Sequence, residues 1–101
     1  MLFRFLAVTS ANRSPLLPAT RTVAEAGYPG FEASTFNLLV TPAQTPRDII
    51  SRINTVFNAG VNSSALRDKL VQLGIVPVTM SPEETRAYLG RETSKWAGVV
   101  Q

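Results

Sequence analysis

Large apolar residues crowd the start of the chain without helical spacing, then recur at helical spacing after residue 46. Residues 2–8, LFRFLAV, are apolar except for Arg4 and run into the polar Thr9, Ser10, Ala11 and Asn12, which predicts a strand and a loop. Pro15 and Pro18 exclude a helix until Thr22. Thr22 and Glu25 have the spacing of a capping box and Gly27 supplies a stop, so a helix of one or two turns is expected there. The tripeptide YPG marks a turn, and residues 31–40 form a second extended stretch.

The second half reads as three helices. In residues 46–58 the positions Ile49, Ile50, Ile53, Val56 and Phe57 define one apolar face, and Asp48 and Arg52 stand at i,i+4 on the other. Thr45 is the expected cap of this helix, with Pro46 at its first position and Asp48 as the capping-box acid. A further helix follows Asn62 or Ser63, with Leu66, Leu70 and Leu73 as its stripe and Gly74 as its terminator. Residues 75–78, IVPV, suit an edge strand, because Pro77 has no ladder donor. The last helix opens on Ser81, Pro82, Glu83 and Glu84, a second capping box. Its apolar set, Ala87, Tyr88, Leu89, Trp96, Val99 and Val100, is interrupted at Glu92 and Thr93. Gly90 costs it about 1 kcal/mol relative to alanine, so docking rather than propensity is expected to hold it.

The fold class implied is α/β: two strands far enough apart for a parallel crossover, then helices with a short strand between the last two. Two strands and a stub cannot cover three amphipathic helices. The chain is therefore expected to be part of a larger object.

Composition removes several functions. With 101 residues this is at most one ordinary domain. The ten basic residues give a net charge of +3 but are scattered, without the cationic stripe that displaces counterions from phosphates, so no nucleic-acid partner is expected. Absence of cysteine and histidine removes thiolate chemistry, the usual structural zinc sites and the commonest general base, so neither catalysis nor a cofactor is expected. Ser94 and Lys95 are helix neighbours pointing about 100° apart and cannot form a dyad by themselves.

The stretches LAVTS, TVAEAG, PGFE and TPRDI, the proline pair before TVAEAG, LRDKLVQLGIVPV and the late tryptophan together resemble the carboxyl-terminal part of the Bug, or TctC, family. These are extracytoplasmic solute receptors associated with tripartite tricarboxylate transporters. The resemblance implies a two-lobed, periplasmic-binding-protein-like fold holding a small organic carboxylate in its cleft, with membrane transporter subunits as partners and a periplasmic location. By that analogy residues 1–34 end one lobe, residues 35–41 cross the hinge, and residues 42–101 complete the other lobe. The amino-terminal majority of such a receptor, including its export signal, has no counterpart here, so a truncated receptor is expected. A self-associating interaction module or a non-functional remnant is the alternative.

The chain departs from the family pattern at Phe36, Asn37 and Leu38, where an aromatic–aromatic–glycine run is usual, at Arg21, where proline is usual, and at Thr85, where an aromatic is usual. Phe36 and Asn37 are the candidate ligand-binding residues. Neighbours on a strand alternate in direction, so one faces the cleft and the other the sheet. Asn37 is either a donor to a ligand carboxylate or a partner of local backbone groups. Trp96 is expected as an anchor, and the helix starts, each carrying its own acid, as structural caps rather than anion cradles. Arg13 and Arg21 are loop cations with the chemistry to pair with a carboxylate, solvated surface being the ordinary alternative.

Overall fold

Three helices carry the regular structure of the chain: α1 (Arg47–Asn62), α2 (Ser64–Gln72) and α3 (Pro82–Ala97). The computed structural model describes residues 2–100; Met1 and Gln101, the outer ends of the first and last expected regions, lie outside them.

The first 46 residues form no strand ladder and no helix among the described residues. The β-bridge among the described residues is a parallel one between Val8 and Thr22. The Val8 amide donates to the Arg21 carbonyl at 3.0 Å, and the Val23 amide donates back to the Val8 carbonyl at 2.9 Å. On the opposite side Ala33 donates to the Thr9 carbonyl at 2.9 Å. The parallel crossover expected of the two strands thus closes earlier, on Thr22. The residues between Val8 and Thr22 form a loop of the length that parallel pairing requires. Each remaining extended backbone lacks a neighbouring edge among the described residues, so no ladder propagates.

Thr22 is 1% exposed. Its hydroxyl accepts the Glu25 amide at 3.1 Å, which is half of the expected capping box. The Glu25 carboxylate turns instead to Arg13, so the reciprocal bond is not made and the structure stops after one turn, at Gly27 with φ +118. The YPG turn forms as expected: Phe31 donates to the Tyr28 carbonyl at 3.0 Å, with Gly30 at φ +80, the conformation that glycine tolerates at the third turn position.

The start of α1 corrects one expectation. Pro46 is itself the N-cap (φ -56, ψ 144), with no side-chain cap bond, so Thr45 lies one residue too early and Asp48 one residue too near for a box. The Thr45 amide is spent on the Pro42 carbonyl at 3.0 Å. The helix runs past the expected end to Asn62, and Ser63, in extended conformation (ψ 137), separates it from α2. The amide and hydroxyl of Ser63 both donate to the Gly60 carbonyl, at 3.1 and 2.7 Å.

The end of α2 is a Schellman motif. Ile75 donates to the Leu70 carbonyl and Gly74 to the Val71 carbonyl, both at 2.9 Å, with Gly74 at φ +78. Residues 75–78 are a connector and not the expected edge strand.

At α3 the capping box is complete: Glu84 donates its amide to the Ser81 hydroxyl at 3.1 Å, and Ser81 donates its amide to the Glu84 carboxylate at 2.8 Å. The helix ends at Ala97, before the expected Val99 and Val100, whose amides turn back to the Trp96 carbonyl.

Apolar burial is sparse. Among the described residues Val61, at 8% exposure, is the buried hydrophobic one, while Val56 is 66% and Phe57 44% exposed. The accessible surface is 8378 Å² for 11.0 kDa, against about 5,600 Å² for a compact monomer of that mass. The radius of gyration, 16.5 Å, likewise exceeds the roughly 13 Å of a compact domain this long. The expected excess of apolar face is present. No helix among the described residues is long and apolar enough to cross a membrane.

Candidate functional site

Residues 32–37, which carry both candidate ligand residues, are fixed by α3. The fixing begins with a spacing. Glu92, Lys95 and Trp96 stand at i, i+3 and i+4, so their side chains share one face of the helix. Glu92 is 9% exposed, and each of its oxygens has a donor: Lys95 Nζ at 3.0 Å on one, Trp96 Nε1 at 3.0 Å on the other. Lys95 Nζ reaches further and donates to the Glu32 carbonyl at 3.0 Å. The ammonium also lies 5.3 Å from the Trp96 ring centroid, within cation–π range.

Hydrogen bonding from Lys95 holds the Glu92 carboxyl below its usual range. Burial opposes this and the Trp96 indole reinforces it. The interruption in the helix's apolar stripe is thus its best-packed position, because the buried carboxylate is satisfied at both oxygens.

One turn earlier on α3, Tyr88 meets Phe36. Their ring centroids are 5.4 Å apart at 82°, the edge-to-face arrangement that aromatic quadrupoles favour. Burial pushes the Tyr88 phenol above its usual range, and the carboxylates of Glu92 and Glu32 add to that. Phe36 keeps 39% of its surface exposed beside this contact. Asn37, the next residue, is exposed. Trp96 keeps 39% of its surface exposed, and its indole is committed to Glu92 of the same helix and not to a neighbouring element as an anchor would be.

The loop cations differ. Arg13 is engaged with Glu25 through Nε at 3.1 Å to both carboxylate oxygens and through Nη2 at 2.6 Å to one of them, and donates to the Pro18 carbonyl at 3.2 Å. Its hydrogen bonds hold the Glu25 carboxyl below its usual range, and Arg13 is raised in turn. The guanidinium is therefore part of the loop's own framework. Arg21 is exposed.

A second connection ties α1 to the entry of α3. Asn54 and Asn58 donate their side-chain amides to the Met80 carbonyl at 2.9 and 3.0 Å, and Asn58 also donates to Asn54 Oδ1 at 3.3 Å. The other flank of α1 is open: Leu39, Arg52, Ile53, Val56 and Phe57 line an apolar hollow of about 350 Å³.

Sequence reasoning missed Glu92, Lys95, Asn54 and Asn58 as organising residues. The signal was available in two spacings, the i,i+4 asparagines and the i, i+3, i+4 acid, lysine and tryptophan. The groups described here hold backbone segments together, which is the chemistry of a scaffold that presents a surface.

Residues 2–101 match the tripartite tricarboxylate transporter family receptor, and the chain belongs to that family. It is 38% identical over 98 residues to protein BugT of Bordetella pertussis, covering 97% of this chain and 30% of BugT. It is 37% identical over 98 residues to the protein from the tcbD–tcbE intergenic region of Pseudomonas sp. strain P51, covering 96% of this chain and 29% of that protein. Among solved structures it is similar to Rpa4515 of R. palustris with adipate, at TM-score 0.78 and 35% identity, covering 93% of this chain and 31% of that one. The chain thus spans about three-tenths of the length of these relatives.

Proposed function

We propose that this chain is the carboxyl-terminal portion of an extracytoplasmic solute receptor, whose whole form closes around a small organic carboxylate and signals to membrane transporter subunits without chemistry. The observation that carries this reading is a family match running from residue 2 to residue 101 within a chain that spans about 30% of its relatives. The adipate of Rpa4515 supports a carboxylate as the ligand class. The uncovered flank of α1 supports a neighbouring sheet that other parts of the receptor supply.

In this reading residues 1–34 end one α/β lobe, residues 35–41 cross between the lobes, and residues 42–101 belong to the second. Of the two candidates, Asn37 faces the cleft and donates to the ligand carboxylate, and Phe36, packed on Tyr88, borders the site from the other side of the segment. The location is periplasmic. Domain closure around a ligand is a hinge motion, and the short crossing segment is where such a motion concentrates.

The test is a chimera in which this chain replaces its counterpart in Rpa4515, titrated calorimetrically with adipate. Binding by the chimera, weakened by Asn37→Ala, is the expected result. A chimera that folds and binds adipate with unchanged affinity after both Asn37→Ala and Phe36→Ala overturns the site assignment. Tight stoichiometric adipate binding by the 101-residue chain alone overturns the need for the rest of the receptor.

A further inference from the structure

The contacts between α3 and residues 32–36 have a feature that simple packing does not require. They come from two different kinds of force at two points, one polar and one aromatic, on either side of a short extended backbone. Lys95 fixes a main-chain oxygen, at Glu32, and Tyr88 fixes a side-chain ring, at Phe36. Four residues of extended chain span about 13 Å, and two fixed points over that distance remove most of the freedom of a segment to twist.

We propose that α3 acts as a latch on the crossing segment: Lys95 holds the Glu32 carbonyl, Tyr88 holds the Phe36 ring, and together they set the direction in which Asn37 is presented. This rests on the receptor reading for its consequence, since Asn37 matters only if it meets a ligand. The latch itself is a property of the chain.

Glu92 is the positioning residue behind the Lys95 hold. Its carboxylate draws Lys95 Nζ into the orientation from which it reaches Glu32, and its second oxygen immobilises the Trp96 indole over which the ammonium lies. A lysine ammonium has three donors and a flexible four-carbon stem, so without an anchor it does not hold a single backbone oxygen. With Glu92 and Glu32 as simultaneous acceptors, two of those three donors are committed. The segment also has an outer tether, the Ala33 amide on the Thr9 carbonyl, which makes Ala33 a reporter of whether the segment stays in place.

The experiment uses the full 101-residue chain with no ligand present. In the unaltered chain, proton NMR is expected to give a cross-relaxation signal between the Phe36 and Tyr88 rings and a protected Ala33 amide. Lys95→Met, which keeps the stem and removes the donors, is expected to weaken the ring–ring signal and speed Ala33 exchange about tenfold, the loss of one charge-assisted hydrogen bond. Lys95→Arg restores both, and Tyr88→Phe leaves both unchanged because the edge contact needs only the ring.

Ring contact and Ala33 protection that survive Lys95→Met overturn the latch. So does exchange that accelerates equally in α1 and α2, since the lysine would then be supporting the structure as a whole. Because no ligand enters this measurement, its failure removes the latch and leaves the receptor reading standing. Failure of the adipate titration does the reverse.

Discussion

Asn54, on the second turn of α1, donates its side-chain amide to the carbonyl of Met80, 26 residues later, at 2.9 Å. Asn58, one turn further on, donates to the same oxygen at 3.0 Å. A carbonyl with two lone pairs is thereby filled by two donors from one helix face, and the connector before α3 is held against α1 by polar rather than apolar contact.

The two asparagines are expected to be coupled. Removing either leaves Met80 one donor, so Asn54→Ala or Asn58→Ala alone costs about 0.5–1.5 kcal/mol, partly offset by the better helix propensity of alanine. Removing both leaves a half-buried carbonyl unpaired, and the double variant is expected to lose more than the two single losses combined. The excess is about 1 kcal/mol, minus the contribution of the bond from Asn58 to Asn54 that each single variant also breaks. A double-mutant cycle read by urea unfolding checks this, and the propensity gain cancels from the coupling term. Strict additivity would mean that the two bonds act independently and that Met80 is not a shared acceptor in energetic terms.

The two helix starts make opposite predictions from similar sequences. Thr45-Pro46 and Ser81-Pro82 look alike, yet Ser81 accepts the Glu84 amide while Thr45 makes no cap bond. Ser81→Ala is expected to cost about 1 kcal/mol, and Thr45→Ala about zero. Equal costs in thermal melts followed by far-UV circular dichroism would restore Thr45 as a cap.

Acid is expected to destabilise the chain through two carboxylates, and alkali through one phenol. Glu25 and Glu92 are held below the ordinary value of 4.5 by Arg13 and Lys95. As pH falls past 4.5 the unfolded chain takes up protons first, so the stability these pairs contribute is complete above that value and is lost as pH falls through the depressed folded values. Tyr88 is raised above 10.0, so its contribution is complete below pH 10.0 and is lost as pH rises through the folded value. Arg13→Met and Glu92→Gln are each expected to flatten the acid limb, and Tyr88→Phe the alkaline limb, in denaturation midpoints measured across pH. An acid limb unchanged in the Arg13→Met, Glu92→Gln double variant would assign the acid sensitivity elsewhere.

What the sequence made legible follows from the range of the interactions. The three helices, the Ser81 box and the Gly74 stop were readable because their determinants lie within five residues of one another. The strands were not, because an extended segment becomes a strand only when another backbone lies beside it. Glu25 shows the limit in one side chain: its spacing from Thr22 is right for a capping box, but Arg13, twelve residues earlier, takes the carboxylate. At Glu92 the error ran the other way. An acid in an apolar stripe reads as a weak point until Lys95, Trp96 and the distant Glu32 carbonyl are seen to complete it. Phe36 and Asn37 came from the family resemblance, and neither spacing nor periodicity singles them out.

Surface left uncovered is a driving force, and it makes the last prediction. The accessible area exceeds that of a compact monomer by roughly 2,800 Å², more than three times the roughly 800 Å² that one partner buries in an interface of standard size. One part of the exposed apolar surface lies around Leu39, Ile53, Val56 and Phe57, beside the hollow on α1. Burying such surface is favourable, and the surplus over the cost of association appears as affinity. The isolated chain is therefore expected to self-associate, with a weight-average mass in sedimentation that rises with concentration. Val56→Glu, at a position 66% exposed, is expected to lower that mass without unfolding α1. In the Rpa4515 chimera the same substitution is expected to destabilise the fold, because on the proposed receptor reading the rest of the protein covers this flank. A monomer that persists at every concentration, together with a chimera indifferent to Val56→Glu, would mean that this flank is ordinary solvent-facing surface.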